Sequence, residues 1–594
     1  MAAKYWRVHE KNRLPAGQPS WLAWFFFMAS PSTPVAPPAA RWRRDLLLLT
    51  LGFGALYVFL LGRLPLANPD EPRYAQIPRE MLAAGDWTLG RLNGVPYLEK
   101  PPLVYWAVGL CHRLFGPAEW AMRLTPTLFA LGGVLLVYAT ARRLHGRPAG
   151  IGAAVVFGTS LLTFALARVL LLDMALSVLM SATLFCFLLG VREPPGARRR
   201  WFFYGLYASA ALATLTKGLI GFLIPGAVMF LWLLVFNQWK RLLPMHLVGG
   251  GLLFLAIAAP WHVLAAQRNP EWAEFYFVRE HWQRFTEPGH GRTEAWWFFG
   301  PVLVFGLFPW IGFLGCATRA AIAGGWKRRH ENAEAWFLVT WAVFVFLFFN
   351  KSQSKLIPYI LPMFPAMAVL IGPWLARRWT EGDAVPLRRG LRVFAFFCGL
   401  LAVALLIAVL KPGAIRDVEQ AAQLRPYGIG MALVLMVGGV LAPWFARVRG
   451  PAAGLITLVG TTIGFFMGIV LAAPGFQRPD TKELALVARE RVAPADRVYH
   501  YWAFFHDFLY YSERPVGLVS YVDELEVRFL APAERAARFI DDAELRRQWS
   551  SPQRVWLVVR KRDMAHPQSV FGDPAFRYRL IAETRAHSLL SNQP

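Results

Sequence analysis

Acidic, basic and aromatic side chains crowd into residues 70–106, directly after the first long apolar run of the chain. Asp70 and Glu71 are adjacent there, and Glu99 and Lys100 form a second adjacent pair. Placing paired charges beside a membrane span costs desolvation free energy unless those charges hold something polar. This stretch therefore predicts a binding site for a polar or ionic ligand at the membrane boundary.

Three further ionisable residues lie at the ends of apolar runs. Asp173 has no compensating charge within its own run, and Lys217 is its basic counterpart in another run. A lone acid in such a place requires a partner or a polar cavity. Lys355 precedes a helix that Pro358 and Pro362 interrupt, and such a break frees backbone carbonyls where a cavity is lined. Taken alone, any one of these side chains could instead be an interfacial residue that reaches for water.

A metal-binding pair is one hypothesis for the loop 266–295. Glu280 and His281 are adjacent in sequence, so a single helix does not direct both toward one metal ion. His281 together with Glu99 from the earlier stretch is the better pair for a divalent cation. A hydrogen-bonded histidine at the membrane interface is the alternative.

The composition identifies a membrane protein. Hydrophobic residues make up 56% of the 594 residues, with 25 Trp and 45 Phe, which predicts many membrane spans. The formal charge of +26 comes from short basic clusters between the apolar runs, which favours cytoplasmic loops and argues against nucleic-acid binding. The four cysteines lie in or beside apolar runs, so neither a disulfide framework nor a zinc finger is indicated.

Thirteen apolar segments of about 20 residues each predict transmembrane helices. They lie at about 46–64, 119–140, 150–168, 174–191, 201–216, 219–236, 246–265, 296–315, 335–350, 357–376, 391–410, 428–446 and 452–472. The shorter apolar segment 103–115 predicts an interfacial helix.

The loops between these spans alternate between two kinds. One kind is short and basic, and because positive loops stay in the cytoplasm, the N-terminus is predicted there too. The other kind comprises 65–118, 169–173, 217–218, 266–295, 351–356, 411–427 and everything after 472. The alternation therefore predicts that Asp70, Lys100, Asp173 and Lys217 meet on the non-cytoplasmic face.

The pattern divides the chain into three regions. Residues 1–44 read as a cytoplasmic tail, with Met28 as a candidate for the true start. Residues 45–474 form the predicted transmembrane domain, and residues 475–594 read as a soluble α/β domain on the far side of the membrane.

The C-terminal region carries alternating patterns of its own. We expect helices over 481–492 and 534–549 and strands over 497–502 and 554–562. His506 and Asp507 are adjacent and read as polar residues of the surface. We therefore expect this domain to cap the site or to dock the acceptor rather than to supply catalytic groups.

The residue types together indicate a substrate that bears phosphate. Lysine and arginine suit phosphate, whereas carboxylates suit sugar hydroxyls, amines or a metal ion. A lipid-linked phosphosugar needs both, because its leaving group is a phosphate whose developing charge cations stabilise. No P-loop and no Rossmann glycine motif stands out in the sequence, which argues against a mechanism that depends on nucleotide binding.

Six segments, in order along the chain, resemble the lipid-phosphate-dependent membrane glycosyltransferases of the GT-C type. They are DEPRYAQIPREMLAAGDW (70–87), YLEKPPLVYW (97–106), LLLD (170–173), TKG (216–218), APWHVLAAQRNPEWAEFYFVREHWQRF (259–285) and SKLIPYILPMF (354–364). Within that type they resemble the bacterial 4-amino-4-deoxy-L-arabinose:lipid A transferase family, which is related to protein O-mannosyltransferases. The resemblance implies an all-α polytopic membrane protein of about 13 transmembrane helices with a C-terminal soluble α/β domain.

The resemblance also implies an activity and its partners. The family moves an aminosugar from undecaprenyl phosphate to a lipid A phosphate at the periplasmic face of the bacterial inner membrane. We accordingly expect an undecaprenyl-phosphate-linked donor, a lipid A acceptor and membrane lipids as partners, with no nucleic acid. We expect a monomer, with its N-terminus in the cytoplasm and its C-terminal domain in the periplasm.

Matching the family's motifs onto this sequence implies a set of site residues. The implied catalytic residues are Asp70, Lys100 and Asp173. The implied substrate-binding residues are Glu71, Arg73, Tyr74, Tyr97, Lys217, Arg284, Lys355 and Tyr359. No cofactor is expected to be required, and Glu99 and His281 are the candidate ligands of a possible divalent, zinc-like cation.

Two alternatives stay open at this point. One is a related transferase that uses polyprenyl-phosphate mannose or another hexose, with a protein or glycan acceptor. The other is a lipid or solute transporter, which would spread its polar residues at mid-membrane depth in two repeated halves. The sequence gathers its polar residues at one predicted face and shows no internal repeat, which favours the transferase.

Overall fold

The structure is a computed structural model. It describes residues 38–283, 294–411, 415, 417–476, 480–522 and 524–593, and within these ranges the side chains from 41 to 278 and from 294 onward. The chain divides into a short unit, Met1–Leu47, and a compact unit, Leu48–Pro594, and the second contains both the apolar helices and a C-terminal sheet.

Helices account for nearly all of the membrane part. The α-helices are Pro38–Val58, Asp70–Ala84, Leu103–Phe115, Glu119–His145, Arg147–Gly158, Leu161–Leu166, Asp173–Arg192, Ala197–Lys217, Ile220–Val235, Leu247–Arg268, Phe299–Gly306, Ile311–Ala321, Ala333–Lys351, Phe364–Glu381, Leu387–Leu410, Val418–Val448 and Pro451–Ala472. The remaining helical segments are the π-helix Glu274–Gln283 and the 3-10 segments Trp239–Arg241, Leu243–Met245, Gly325–Arg328, Ile357–Met363 and Ala473–Phe476.

Each of the thirteen predicted spans falls on one of these helices or on a broken pair. Within the described ranges, eight helices are long and apolar enough to cross a membrane, or nine if the bent pair Phe299–Gly306 and Ile311–Ala321 counts as one span. The other predicted spans fall on shorter, broken or more polar helices. The predicted all-α polytopic fold is confirmed, and so is the short helix expected at 103–115.

Two of the predicted spans are broken rather than continuous. The span 150–168 is two helices, and the hydroxyls of Thr159 and Ser160 at the break each donate to the carbonyl four residues earlier at 2.6 Å. Such back-bonding bends a helix. The span 296–315 bends by 92° at a break that contains Pro309, which has no N–H to continue the hydrogen-bond ladder.

A six-stranded sheet organises the C-terminal residues. From one edge to the other its strands are Phe539–Ile540, Gly517–Val519, Arg497–Tyr501, Val555–Arg560, His587–Ser591 and Arg579–Glu583. The first four are mutually parallel, and the last two continue the sheet in antiparallel register. The helices of this region are Lys482–Arg491, His506–Ser512, Pro532–Arg538, Asp542–Trp549 and Lys561–Met564, with 3-10 turns at Val527–Phe529 and Val570–Gly572. The predicted α/β domain is confirmed.

The continuous helix predicted over 534–549 is wrong. The edge strand Phe539–Ile540 divides it, because an aromatic and a β-branched residue fit the pleated surface beside Val519. Asp541 then begins a new helix by accepting a hydrogen bond from the Glu544 N–H at 2.7 Å.

The first loop, residues 65–118, folds against the C-terminal domain. Its hairpin joins strands Gly90–Leu92 and Val95–Tyr97 through Asn93 and Gly94, which both have positive φ (55° and 74°), as a tight hairpin turn requires. The side-chain amide of Asn93 donates through Nδ2 to the Val516 carbonyl at 2.8 Å and accepts at Oδ1 from the Val516 N–H at 3.0 Å. This pairing fastens the loop to the edge of the C-terminal domain.

A shared apolar core completes this junction. Tyr74 and Tyr105 of the first loop belong to the same buried cluster as Phe508 and Trp556 of the C-terminal domain. Leu172, at the start of a membrane helix, belongs to it too. The three parts are therefore held at one common position, which is where the predicted site residues converge.

Candidate active site

The predicted catalytic carboxylate lies at the start of a helix in the first loop. Helix Asp70–Ala84 follows Pro69, and its first turn contains Asp70 and Glu71, where the positive end of the helix dipole stabilises negative charge. Gly85 ends the helix with φ of 66°, the left-handed conformation common at helix ends. The Asp70 side chain is 44% exposed, so an incoming ligand can reach it.

Arg73 connects this helix to the C-terminal domain. Its guanidinium pairs with both Asp70 and Glu524, and its side chain is only 6% exposed. His506 Nε2 lies 3.3 Å from Glu524 Oε1. Burial alone would raise the pKa of Glu524, but the hydrogen bond with His506 and the charge of Arg73 lower it to about 2. Glu524 therefore stays ionised near neutral pH and holds Arg73 beside Asp70.

Glu71 points away from Asp70 and into the protein. Its carboxylate, 2% exposed, accepts from Arg123 Nε at 2.8 Å and Nη2 at 2.6 Å, and from the N–H groups of Ala67 and Leu170 at 2.8 Å each. Arg123 donates further to carbonyls of the segment 61–65. The geometry thus assigns Glu71 a positioning role, in place of the predicted contact with substrate, because its oxygens are already occupied by the chain.

A second acid–base pair follows the hairpin. Lys100 Nζ lies 3.6 Å from Glu99 Oε2, and the Tyr97 hydroxyl donates to the same oxygen at 3.2 Å. The side chains of Lys100 and Glu99 are 12% and 16% exposed. The carboxylate therefore fixes the ammonium group in a mostly buried position at the edge of the first loop.

A third pair joins two membrane helices at their ends. Lys217 Nζ donates to Asp173 Oδ1 at 2.6 Å and lies 4.9 Å from the ring centre of Tyr359. Asp173 begins its helix and Lys217 ends another, so each helix dipole favours the charge it carries. Lys217 is the partner that the lone Asp173 requires. Tyr359 lies in the 3-10 segment Ile357–Met363, where the predicted interruption of the helix is confirmed.

Tyr74 packs beside the first pair, with the Arg73 guanidinium 4.9 Å from the centre of its ring. Burial raises the pKa of Tyr74, and the positive charge of Arg73 opposes that shift. The negative charges of Asp70, Glu99 and Asp173 raise it further. The segments that carry the three pairs also meet in one buried cluster, to which Tyr74, Tyr97 and Leu172, the residue before Asp173, all contribute.

The structure describes the remaining predicted site residues only in part. Lys355 is buried and donates to the Glu294 carbonyl at 2.9 Å. His281 lies on the π-helix Glu274–Gln283, but its side chain is outside the described part, as is all of Arg284. Among the side chains that are described, no three His, Cys, Asp or Glu residues form a group suited to a metal ion. The cation at Glu99 and His281 thus stays a prediction.

The arrangement suits an amphiphilic phosphate ester that also carries hydroxyl or amino groups. Arg73, Lys100 and Lys217 each lie beside a carboxylate, and none of these side chains is more than 16% exposed. Cations held in this way can bind phosphate oxygens in a low-dielectric setting without first being ordered. The neighbouring carboxylates can accept hydrogen bonds from sugar hydroxyls or an amine.

The sequence patterns did not predict a role in these ion pairs for Arg123, Glu524 and His506. Arg123 lies within an apolar span, which is the same signal that singles out Asp173, so it could have been found. Glu524 and His506 carry no such signal, because they lie in a region where charged residues are common. The interpretation of His506 and Asp507 as surface residues is wrong: the His506 side chain is 3% exposed, and Asp507 is fully buried and accepts from the Thr481 N–H at 2.6 Å.

Comparison with known proteins gives consistent matches. The model of the family Dolichyl-phosphate-mannose-protein mannosyltransferase matches residues 99–263. An undecaprenyl phosphate-alpha-4-amino-4-deoxy-L-arabinose arabinosyl transferase from Edwardsiella ictaluri is 32% identical over 354 residues, 59% of this chain and 62% of that protein. Its counterpart from Aeromonas salmonicida is 30% identical over 399 residues, 66% of this chain and 70% of that protein. The chain thus spans less than two thirds of the length of the Edwardsiella relative.

The structural match is more extensive. The crystal structure of ArnT from Cupriavidus metallidurans bound to undecaprenyl phosphate superposes with a TM-score of 0.82 at 27% identity. The match covers 92% of this chain and 98% of that chain.

The fold and the site define a multi-pass membrane protein of the GT-C type, with phosphate-suited cations gathered under a C-terminal α/β domain. Within that class the chain belongs to the undecaprenyl phosphate-4-amino-4-deoxy-L-arabinose arabinosyl transferase family. The resemblance seen in the sequence is confirmed.

Proposed function

We propose that the chain transfers 4-amino-4-deoxy-L-arabinose from undecaprenyl phosphate to a phosphate of lipid A at the periplasmic face of the bacterial inner membrane. The observation that carries the proposal is a set of three acid–cation pairs, Asp70 with Arg73, Glu99 with Lys100 and Asp173 with Lys217, on segments that contribute to one buried cluster. The activity for which the relatives are named supports the donor, and so does the undecaprenyl phosphate bound to the Cupriavidus protein.

The lysines of the site suit the donor phosphate. As the bond between the anomeric carbon and the phosphate oxygen breaks, negative charge develops on the departing phosphate, and Lys100 and Lys217 stabilise it from fixed positions. Asp70 is the most exposed of the three carboxylates, at 44% against 16% for Glu99 and 13% for Asp173. It therefore orients the sugar amine or the acceptor.

The acceptor needs little activation. A phosphate monoester is already ionised near pH 7, so its oxygen attacks the anomeric carbon without a general base. Direct displacement predicts inversion at that carbon. The divalent cation at Glu99 and His281 stays a proposal, and measuring transfer after chelation and after restoring zinc tests it.

The orientation in the membrane is part of the proposal. The basic loops lie at the ends of helices Glu119–His145 and Asp173–Arg192 that are remote from the site, and basic loops favour the cytoplasm. The site and the C-terminal domain then face the periplasm, and the N-terminus faces the cytoplasm. In intact inner membranes, an impermeant thiol reagent should label Asp86→Cys from the periplasmic side but not Arg147→Cys.

Lipid A mass spectra test the activity. A deletion strain that expresses the native chain should regain lipid A heavier by one aminopentose, and Asp70→Asn should abolish that shift. Asp86→Asn is the matched control, because Asp86 lies in the same loop but pairs with Arg268 at 2.8 Å. No shift with the native chain would overturn the assigned substrates.

A hexose transferase with a protein acceptor is the second candidate, favoured by the mannosyltransferase family model that matches residues 99–263. Hexose-modified protein in place of modified lipid A would support it. A transporter is disfavoured, because the paired charges gather at one end of the membrane helices instead of at mid-depth.

A further inference from the structure

A second charged cavity lies far from the candidate active site, at the opposite ends of the same helices. Helices Glu119–His145 and Asp173–Arg192 begin near the site and end at this cavity with His145 and Arg192. Their lengths are 27 and 20 residues. At about 1.5 Å per residue they extend roughly 30–40 Å, enough to cross a bilayer. The cavity therefore lies at the other membrane boundary.

The cavity has a volume of about 720 Å³ and more basic than acidic side chains in its wall. The charged side chains that line it are Arg192, Arg241, Arg377, Arg378, Glu331 and Glu334. Arg192 pairs with Glu334 at 3.0 Å. Arg377 and Arg378 share one carboxylate, that of Glu381, at 2.6 and 2.9 Å. The four guanidinium groups thus outnumber the three carboxylates of Glu331, Glu334 and the adjacent Glu381, so the cavity favours an anion.

Two of these arginines retain capacity for a further acceptor. Among the described residues, Arg241 donates to two neutral oxygens, the Val191 carbonyl at 3.0 Å and the Gln238 side chain at 3.3 Å. Arg378 shares its carboxylate partner with Arg377, and 19% of its side chain is exposed. A phosphate oxygen would satisfy both groups with charge-assisted hydrogen bonds.

The remaining wall is apolar. Val191, Ala320, Ala321 and Pro373 come from three different helices and keep part of their surface exposed. A small hydrophilic anion would leave this wall in contact with water. An amphiphile would cover it with its hydrocarbon part while its anionic group meets the arginines.

We propose that this cavity binds the phosphodiester headgroup of an anionic glycerophospholipid from the membrane leaflet opposite the active site. The phosphate lies against Arg241 and Arg378, and the first carbons of an acyl chain lie along the apolar wall. Basic pockets between membrane helices are suited to such headgroups. This lipid site is independent of the transferase proposal, since it uses none of the residues around Tyr74.

Binding to the purified full chain in detergent tests the ligand class directly. Native mass spectrometry would follow titration with phosphatidylglycerol, with phosphatidylcholine of the same acyl chains, and with glycerol 1-phosphate. We expect one tightly held phosphatidylglycerol, bound at least tenfold more tightly than either comparator. Equal affinity for the two lipids would overturn the proposal, and so would binding of glycerol 1-phosphate as tight as that of the lipid.

Variants locate the site. Arg241→Gln and Arg378→Gln should each weaken phosphatidylglycerol binding by about tenfold, as expected for loss of one charged hydrogen bond. Arg449→Gln is the control, because Arg449 is exposed at the same end of the helices and stacks on Phe445 outside the cavity. An equal effect of all three changes, or no effect of any, would overturn the site. If a variant does not fold, the lipid selectivity of the native chain still decides.

Discussion

Replacing Glu524 with glutamine should loosen the C-terminal domain from the first loop. The Glu524 carboxylate is 21% exposed and pairs with Arg73, which is 6% exposed. The change leaves a buried guanidinium with Asp70 as its carboxylate partner. Removing one member of a buried ion pair costs about 3–5 kcal/mol. Because Asp70 remains and Glu524 is partly exposed, we expect about 1–3 kcal/mol.

Glu526→Gln is the matched control. Glu526 is also 21% exposed and lies two residues further along, but its partner Arg528, at 3.2 Å, is 44% exposed. Water screens such a pair, so its loss should cost no more than about 1 kcal/mol. The two variants therefore differ in how deeply the arginine partner is buried, and Glu524 also contacts His506.

Hydrogen exchange in helix His506–Ser512 measures the difference, since this helix packs against helix Asp70–Ala84. Each 1.4 kcal/mol lost from the free energy of local opening speeds exchange about tenfold. Glu524→Gln should therefore speed exchange there by about 5- to 150-fold, and Glu526→Gln much less. Equal exchange in the two variants would refute the argument that the Arg73 contact holds the domain.

The pH dependence gives an independent check. The folded pKa of Glu524 is about 2, below the usual glutamate value of about 4.3. An acid whose pKa is lower in the folded state than in the unfolded state stabilises the fold at pH values above its unfolded pKa. That stabilisation is lost as the pH falls through its folded pKa. The difference between the native chain and Glu524→Gln should thus persist at about pH 5 and shrink toward pH 2. Loss of the difference by pH 5 would contradict the ionised pair.

Three further predictions concern other buried groups. Glu71→Gln should destabilise the chain by about 3–5 kcal/mol, because Arg123 stays buried without its carboxylate, and the melting temperature and the yield of folded protein measure this. Asp173→Asn alone and Lys217→Met alone should each lower the free energy of unfolding more than the double variant does, because only the single variants leave an unpaired charge. Additive losses in this double-mutant cycle would contradict the pair. Burial lowers the pKa of His500, so the folded ring stays neutral while the unfolded ring gains a proton below about pH 6.5. Stability is then lost as the pH falls below about 6.5, and His500→Asn should remove that loss in a pH series of melting temperatures.

The sequence by itself determined the properties that depend on neighbouring residues. The apolar runs are long enough to require helices, because a backbone in lipid must satisfy its own hydrogen bonds. The alternation over 497–502 and 554–562 likewise suffices for the two central strands of the sheet. The lone charge of Asp173 requires a partner whatever the fold, since an unpaired charge at membrane depth is costly.

Only the tertiary structure decided which charges meet. Arg73 and Glu524 are 451 residues apart in the chain, and Arg123 and Glu71 are 52 apart. Sequence spacing carries no information on such pairs, because electrostatic attraction depends on distance through space. Glu71 and Asp70 show the consequence: they are adjacent in sequence and alike in charge, yet Glu71 is buried against Arg123, whereas Asp70 pairs with Arg73 and stays 44% exposed.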